Sequence, residues 1–324
     1  MSLESLQSYL ADDMHAVDHV IRQSLHSDVA LIRQVSEYII NSGGKRLRPA
    51  LVLLSAGCFN YSGRAHYELA AVVEFIHTAT LLHDDVVDSS NLRRGKTAAH
   101  LIWGAPSSVL VGDFLFARAF ELMVETGQMR ALGILATASS VISEGEVLQL
   151  TRAHDLNLDQ ETYLRIISAK TAELFAAAAE AGAVGAGADE KAVQALRAYG
   201  LNLGIAFQLA DDALDYGGAS ATLGKNAGDD FHEGKVTLPL LLAVARTHGR
   251  EDAFWERTIN QGQRTDDDFR RARELIIGTG AIGGTLDTAW NYAAAAQDAL
   301  KPLPAGDWRD ALEQLADFAV SRAA

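Results

Sequence analysis

Long segments in which apolar residues recur every three or four positions run through most of this sequence. They are rich in Ala, Leu, Gln and Glu, which favour helix, and no sustained run of alternating residues interrupts them. The longest break is 216–235. The pattern indicates an all-α fold, with residues 1–324 forming a single large helical bundle. The predicted helices lie near residues 3–24, 28–41, 47–58, 64–88, 107–126, 129–150, 159–182, 188–216, 235–247, 266–277, 285–300 and 307–322.

Composition narrows the possible partners and location. With 324 residues, 48% of them hydrophobic, the chain can bury a large core, and its net charge of −14 argues against nucleic acid as a partner. The single cysteine, Cys58, excludes an intrachain disulfide framework and fits a reducing compartment. The segment Met1–Asp13 contains no Lys or Arg, unlike a signal peptide. The apolar runs 69–82 and 131–142 are too short to span a bilayer. We therefore expect a cytoplasmic protein without a transmembrane segment.

Two near-copies of one acidic motif end long apolar segments: Asp84-Asp85-x-x-Asp88 and Asp211-Asp212-x-x-Asp215. Residues four apart share a helix face, so like charges repel in each motif, and a helix C-terminus favours cations instead. A bound cation would offset both effects, and oxygen ligands select Mg²⁺, Mn²⁺ or Ca²⁺. The alternative is a pair of solvated acidic helix ends. Two such motifs, each ending a strongly apolar helix, favour the metal.

Basic residues follow two glycines in Gly43-Gly44-Lys45-Arg46-Leu47-Arg48-Pro49. Pro49 suits the first turn of the next helix, so Lys45 and Arg48 should meet near its N-terminus and bind an anion such as phosphate. A second basic group, Arg93-Arg94-Gly95, lies just past the first acidic motif. Alone, either group would more often be a solvated surface. In an acidic chain with two metal-type motifs, phosphate binding is favoured.

Two further positions leave alternatives open. His77 lies two helical turns before Asp84, and it is either a core histidine or a donor to a phosphate oxygen. Glu74-x-x-His77 also resembles half of a di-iron site in a helical bundle, which needs a second such pair and two further glutamates. The nearest second copy is Asp229-Asp230-Phe231-His232. The di-iron alternative leaves the aspartate and basic motifs unexplained. Lys170, a single mid-helix lysine, is the weakest candidate, since such residues usually face solvent.

Taken in order, these motifs resemble those of the trans-type polyprenyl diphosphate synthases over nearly the whole chain. Departures are mild: Val236 replaces a frequent proline, and Ala213 a larger residue. The matching segments are Gly43–Pro49, Asp84–Asp88, Arg93-Arg94-Gly95, Phe207-Gln208-x-x-Asp211-Asp212-x-x-Asp215, Gly224-Lys225-Asn226-x-Gly228-Asp229-Asp230 and Glu233-Gly234-Lys235-x-Thr237-Leu238-Pro239.

The resemblance implies an isoprenoid-synthase bundle that joins an allylic diphosphate to isopentenyl diphosphate. About three Mg²⁺ ions, replaceable by Mn²⁺, would be held by Asp84, Asp88 and Asp211. Asp85, Asp212 and Asp215 would support them directly or through water. The residues implied to contact the allylic diphosphate and its leaving pyrophosphate are Arg93, Lys170, Lys225 and Lys235. Thr171 and Gln208 are also implied to contact substrate. Those implied to bind isopentenyl diphosphate are Lys45, Arg48, His77 and Arg94.

The resemblance also implies a homodimer and a long all-trans product, octaprenyl (C40) diphosphate, grown from farnesyl diphosphate for a quinone. Thr80 and Ala79 lie about one turn before Asp84, and both are small enough to let a growing tail pass. Met123 on the neighbouring helix is expected to set a deeper floor. The sequence leaves shorter and longer products open, and also the primer and the quinone. A terpene cyclase would not need the Gly43–Pro49 motif, and a regulatory subunit would have eroded aspartates, whereas all six are intact.

Overall fold

The computed structural model describes residues 3–217 and 228–323, and most of them are helical. This confirms the prediction of an all-α fold. The helices are α1 (Leu3–Tyr9), α2 (Ala11–Ser24), α3 (Ala30–Ile40), α4 (Leu47–Gly57), α5 (Ala65–Val87), α6 (Ala99–Trp103), α7 (Ala105–Glu125), α8 (Met129–Arg152), α9 (Gln160–Ile167), α10 (Glu173–Gly185), α11 (Glu190–Gly217), α12 (Asp229–Glu233), α13 (Leu238–Thr247), α14 (Asp252–Trp255), α15 (Asp266–Gly278), α16 (Ala281–Ala299) and α17 (Asp307–Ser321).

Three irregular features were not predicted. A hairpin of two short antiparallel strands, β1 (Leu92–Arg93) and β2 (Lys96–Thr97), follows α5. Two π-helical turns, Ser168–Ala172 and Glu256–Asn260, interrupt longer helical stretches. Such turns are rare and often lie at functional sites. The predicted continuous helix 3–24 is wrong, because it divides into α1 and α2.

The chain forms two compact units, each built from three segments. The first unit consists of Met1–Ser139, Leu174–Gly200 and Ala296–Leu315. The second unit consists of Ser140–Glu173, Leu201–Ala295 and Ala316–Ala324. The single domain expected from the sequence stays a prediction.

The core of the first unit surrounds α5, which packs against α2, α4 and most extensively α7. Leu69, Val72, Phe75 and Ile76 of this helix are fully buried. A helix that is apolar around its circumference has to be buried on all sides, and each large apolar side chain removed from water contributes about 1.5–3 kcal/mol. The packing fixes α5 in place, and with it the acidic motif at its end.

The core of the second unit contains the C-terminal part of α11 and aromatic side chains from the helices that follow. Tyr216, Phe231 and Trp255 are fully buried in it. The Trp255 indole N–H donates to Thr247 Oγ at 2.9 Å, so its polar atom is satisfied. The second acidic motif therefore also projects from a helix held by a packed core.

Helix α8 is longer than the apolar run 131–142 suggested. It has 24 residues, and among the described residues it alone is long and apolar enough to cross a bilayer by length and composition. About 28% of its most apolar stretch is buried within the chain. Core helices of proteins outside membranes pass the same test.

Candidate active site

The first acidic motif lies at the C-terminal end of α5, as the sequence predicted. The helix ends at Val87, and the backbone N–H of Asp88 donates to the Asp84 carbonyl at 2.8 Å. Asp84 and Asp88 are partly buried on one face, whereas Asp85 is fully buried. The outer carboxylates and the middle one thus face different surroundings.

The hairpin after α5 brings Arg93 back to the buried carboxylate. Its two-residue turn, Arg94-Gly95, has φ values of +53° and +75°, which is the geometry of a type I′ turn. Arg93 Nε donates to Asp85 Oδ1 at 2.7 Å, and Nη2 contacts the same oxygen. Within the described ranges, no group bonds to the buried Oδ2 atom of Asp85. One oxygen therefore anchors the hairpin, and the other retains its acceptor capacity.

The other arginine of the hairpin contacts the glycine pair. Arg94 Nη1 donates to the Gly43 carbonyl, and a Cβ added at Gly44 would lie 2.8 Å from Arg94 Cζ. Gly44 also has a φ of +140°, which residues with a side chain rarely adopt. Gly43 therefore accepts a hydrogen bond from Arg94, and Gly44 leaves room for its guanidinium group. This contact connects the hairpin to the first basic motif.

A guanidinium cluster, made of Arg46, Arg48, Arg93 and Arg94, surrounds His77. Arg48, in the first turn of α4, lies over the Phe175 ring at 4.5 Å, and its Nη1 atom is 3.3 Å from His77 Nε2. Burial, followed by the charges of Arg48 and the other three arginines, lowers the pKa of His77 well below its usual value. His77 is therefore neutral at pH 7 amid positive charge. Lys45, which directly precedes Arg46 in the chain, is exposed.

Glu74 has a partner that the di-iron alternative did not foresee. Arg46, whose φ is +51°, places Nη1 at 3.0 Å from Glu74 Oε1 and Nη2 at 3.7 Å from Asp18. A buried carboxylate with such a partner needs no metal to explain it. Over residues 3–217 and 228–323, no group of three or more His, Cys, Asp or Glu side chains is arranged to hold a metal by itself.

The second acidic motif lies in the last turns of α11, also as predicted. Asp212 is buried and accepts hydrogen bonds from the Tyr163 hydroxyl and from Gln208 Nε2, the latter at 2.7 Å. Gln208 Oε1 in turn accepts from Thr171 Oγ1 at 2.9 Å. Burial, then the charge of Asp230, raises the pKa of Asp212 to about 8. Three predicted residues, Thr171, Gln208 and Asp212, are thus connected in one network.

The outer aspartates of this motif have different partners. Asp211 Oδ1 accepts from Arg322 Nη1 at 2.6 Å, and the Arg322 guanidinium lies 3.9 Å from the centre of the Phe207 ring. The Asp215 carboxylate accepts from the backbone N–H of Gly228 at 3.3 Å and of Asp230 at 3.2 Å. Asp215 therefore stabilises the start of α12, whereas Asp211 remains 38% exposed.

The lysines predicted to bind pyrophosphate are held by acidic or polar groups. Lys170 lies in the first π-helical turn, and its Nζ atom is 2.7 Å from Glu146 Oε2 and 2.8 Å from Gln149 Oε1. Its side chain is only 20% exposed, unlike the usual mid-helix lysine, and its role in binding pyrophosphate stays a prediction. Lys235 Nζ lies 2.5 Å from Glu233 Oε2. Lys225 lies outside the described residues.

The residues predicted to control chain length lie in the first unit. Ala79 on α5 and Met123 on α7 are both buried, and these two helices pack together. Thr80 is partly exposed, and its hydroxyl donates to the His77 carbonyl at 2.8 Å. The role of all three stays a prediction.

A helical fold with an aspartate motif at the end of a core helix in each unit, and a guanidinium cluster beside the first motif, has the features of a prenyltransferase that acts on diphosphates. The sequence profile described as polyprenyl synthetase matches residues 29–276, and the chain belongs to this family. It is therefore a trans-prenyltransferase, and the substrates of the family are allylic and isopentenyl diphosphates.

Individual relatives support this assignment along the full length. The chain is 45% identical to octaprenyl diphosphate synthase of Escherichia coli K12, with 99% of each chain covered. It is 65% identical to a polyprenyl synthase from Caulobacter crescentus CB15, whose crystal structure contains calcium and isoprenyl diphosphate, with a TM-score of 0.98 over 100% of this chain and 98% of the other. A decaprenyl diphosphate synthase from Rhodobacter capsulatus is 51% identical, with a TM-score of 0.95 over 100% of both chains. Relatives with different product lengths thus share this fold.

Proposed function

We propose that this enzyme extends farnesyl diphosphate with successive isopentenyl diphosphates to all-trans octaprenyl (C40) diphosphate, which supplies a quinone side chain. The observation that carries the proposal is the guanidinium cluster around the neutral His77, because it would give a second diphosphate a binding site apart from the aspartates. The C40 product rests on the 45% identity to the octaprenyl synthase of E. coli.

The guanidinium cluster suits the diphosphate of isopentenyl diphosphate. Arg48 and Arg94 can each form bidentate contacts with phosphate oxygens, and the planar Arg48 is already oriented by Phe175. The neutral His77 can donate one ring N–H to a phosphate oxygen. Lys45, exposed at the start of this motif, would add a further positive charge.

The allylic diphosphate would bind through Mg²⁺ at the aspartates. Carboxylate oxygens are the ligands that Mg²⁺ prefers, and it is usually held by one or two carboxylates together with substrate phosphates. Asp84, Asp88 and Asp211 fit this donor set, and the unused Oδ2 atom of Asp85 offers a further oxygen. When bound, Mg²⁺ would stabilise the negative charge that develops on the leaving pyrophosphate.

The chain's own cations would assist the departure of pyrophosphate. As the bond between C1 of the allylic substrate and its oxygen breaks, Arg93, Lys170 and Lys235 would stabilise the charge on the leaving group. The double bond of isopentenyl diphosphate then attacks C1, and the proton that is lost passes to pyrophosphate. Lys225 is proposed for the same role on sequence grounds alone.

The central experiment follows turnover and products of the purified enzyme with farnesyl and isopentenyl diphosphates in Mg²⁺. We expect a C40 product on chromatography. Arg48→Ala should raise the KM for isopentenyl diphosphate by about 10- to 150-fold, which corresponds to a lost charge-assisted contact of about 1.5–3 kcal/mol. Lys170→Gln should act mainly on the allylic substrate.

Arg130→Ala is the matched control for these variants, because Arg130 forms an exposed ion pair with Glu190. It should leave both KM values unchanged. Equal effects of Arg48→Ala and Lys170→Gln on the two substrates would contradict the separate sites. Failure of the wild-type enzyme to form any polyprenyl diphosphate would contradict the proposed reaction.

Chain length can be tested at Ala79. A tyrosine at this buried position on α5 would fill the space beside the proposed tail path near its mouth. Ala79 lies about one helical turn from Asp84, so a tyrosine there would stop the tail early. Ala79→Tyr should therefore shift the products to about 15–20 carbons, while the first condensations still occur. Met123→Ala should give products of the same length or longer. An unchanged C40 product from Ala79→Tyr at a comparable rate would show that the tail runs elsewhere.

We also propose a homodimer. Several large hydrophobic side chains of α7 and α8 are exposed in the single chain, among them Leu110, Val124, Met129 and Val147. Exposed apolar side chains of this number often belong to an interface. Light scattering should give about twice the chain mass of 34.7 kDa. A single-chain mass at micromolar concentration would contradict the dimer.

We propose a cytoplasmic location, because the one cysteine of the chain is suited to a reducing compartment. Cys58 is buried, and burial raises the pKa of its thiol to about 11, which keeps it protonated and unreactive. Cell fractionation should recover the enzyme with cytosolic markers, and recovery with the periplasm would contradict the proposal.

A further inference from the structure

Helix α8 and the first π-helical turn approach each other unusually closely at Gly145. A Cβ added to Gly145 would lie 2.8 Å from the backbone nitrogen of Lys170 and 2.8 Å from Ala169 Cβ. Non-bonded atoms do not come this close, so an added Cβ would have to displace its neighbours. The backbone nitrogen of Lys170 cannot rotate away as a flexible side chain can. Gly145 lies inside an α-helix, so the close approach, not an unusual φ, requires glycine here.

The close approach places two α8 side chains at the ammonium of Lys170. Glu146 Oε2 and Gln149 Oε1 lie at 2.7 Å and 2.8 Å from Nζ. Hydrogen bonds of this kind weaken beyond about 3.2 Å, so a shift of the turn by about half an ångström would loosen both. The neighbouring Thr171 depends on the same turn for its bond to Gln208. The separation of α8 from the turn therefore determines where Lys170 and Thr171 point.

The turn is not tightly packed on every side. Ser168 and Ala169 line an open pocket of about 860 Å³, together with Gly145 and Leu148 of α8 and Leu164 of α9. An added methyl group at position 145 can therefore be accommodated by moving the turn, and the chain need not unfold to relieve the contact. The expected consequence is a displaced Lys170 in a folded protein.

We propose that α8 positions Lys170 for the diphosphate: Gly145 sets the distance of the π-helical turn, and Glu146 and Gln149 direct the ammonium group. These three are positioning residues, since they act through Lys170 and have no direct contact with the substrate in this scheme. The inference rests on the proposed role of Lys170 in binding pyrophosphate. It adds residues that neither aspartate motif nor basic motif contains.

The test compares Gly145→Ala with Gly283→Ala. Gly283 lies in α16 of the same unit, is exposed, and has nothing within 4 Å of an added Cβ. Alanine favours helix over glycine in both places, so Gly283→Ala should raise the unfolding temperature and leave ligand binding unchanged. Gly145→Ala should remain folded by circular dichroism. It should weaken binding of pyrophosphate with Mg²⁺ by about 10-fold in isothermal titration calorimetry, and raise the KM of the allylic substrate more than that of isopentenyl diphosphate.

A double-mutant cycle with Lys170→Gln separates positioning from general damage. If Gly145 acts through Lys170, adding Gly145→Ala to Lys170→Gln should cause no further loss of pyrophosphate affinity. Additive losses, or a Gly145→Ala enzyme that binds like Gly283→Ala, would overturn the inference while leaving the role of Lys170 intact. Unchanged affinity in Lys170→Gln alone would instead refute the proposed role of Lys170, and with it the inference. Should Gly145→Ala not fold, Gln149→Leu takes its place in the cycle, with the same two results expected.

Discussion

The two aspartate motifs have the same spacing in sequence but are held in different ways. In both, the middle aspartate is buried, with exposures of 0% for Asp85 and 2% for Asp212. Asp85 forms an ion pair with Arg93 of the hairpin. Asp212 instead accepts hydrogen bonds from the neutral groups of Tyr163 and Gln208. The burial of Asp85 is therefore offset by the positive charge of Arg93. The burial of Asp212 is offset by hydrogen bonds, and its raised pKa favours the protonated, neutral carboxyl group.

The difference shows that equal spacing does not mean equal roles. The middle position of each motif faces inward and ties the end of its helix to another element, the hairpin in one unit and α9 in the other. The outer positions differ too, because Asp215 stabilises the start of α12 while Asp211 pairs with Arg322 near the chain end. In the function proposed above, the metal is assigned to Asp84, Asp88 and Asp211, and the buried Asp85 and Asp212 tie each helix end to its unit.

The largest expected effect is on turnover. Asp84→Ala and Asp211→Ala should each lower kcat by about 10³-fold or more, because each would remove a ligand that acts in the transition state. Asp298→Ala, at an exposed position 69% accessible to solvent, is the control and should be fully active. Steady-state kinetics in Mg²⁺ and in excess chelator would check this. A chelated enzyme with full activity would contradict the metal site.

The next effect is on stability, at the charged pair of the first motif. Arg93→Ala would leave the buried Asp85 carboxylate without its cation, which costs about 3–5 kcal/mol of the free energy of unfolding. Removing one partner of an exposed ion pair, as in Arg130→Ala, should cost at most about 1 kcal/mol. Denaturant unfolding measures both. Similar losses for the two variants would mean that Arg93 and Asp85 do not depend on each other.

The neutral pair of the second motif should be less costly to break. Tyr163→Phe removes the hydroxyl that donates to the buried Asp212, and about 1–3 kcal/mol should be lost with it. Tyr67→Phe provides the control, since Tyr67 donates to the partly exposed Asp13 at 2.9 Å. The same unfolding experiment applies. A smaller loss for Tyr163→Phe than for Tyr67→Phe would contradict the buried network.

The last effect depends on pH and separates the motifs most directly. Because the pKa of Asp212 is raised in the folded state, the folded protein holds a proton that the unfolded chain releases. The stability contributed by this group is therefore fully present below pH 4, and it falls between pH 4 and pH 8 by up to about 1.4 kcal/mol per pH unit. Asp212→Asn should lack this component in chelator-containing buffer. Parallel pH profiles for Asp212→Asn and wild type would refute it.

Much of this arrangement could be predicted because the signals are local. Apolar periodicity gave the long helices, and the acidic motifs lie at helix ends as their flanking residues indicated. The hairpin escaped prediction because its strands have two residues each, too few for alternation to appear, and because Arg94 occupies a left-handed position that usually needs glycine or asparagine. The π-helical turn at Lys170 has no local signal, because the packing of α8 against it shapes it.

The side chains that support the site were the hardest to foresee. Arg322 lies 111 positions after Asp211, and Tyr163 lies 49 before Asp212, so no spacing rule connects them. Arg46 belongs to a recognised basic motif, but only tertiary packing shows that it pairs with the buried Glu74. Sequence reasoning finds residues that chemistry forces into patterns. It misses residues such as Arg322 and Tyr163, which are distant in sequence and contact the motif residues only in the folded chain.

The hairpin has a consequence for how this enzyme can vary among related sequences. Arg93 and Arg94 are adjacent, yet one bonds to Asp85 at the end of α5 and the other to Gly43 before α4. Inserting or deleting a single residue between Asp88 and Arg93 would move Arg93 away from Asp85 and Arg94 away from Gly43, since the register of a hairpin is fixed by its turn. Insertions and deletions among related sequences should therefore be absent from residues 89–94. They should instead occur in loops whose side chains do not have to reach two separate elements, such as the loop between α16 and α17.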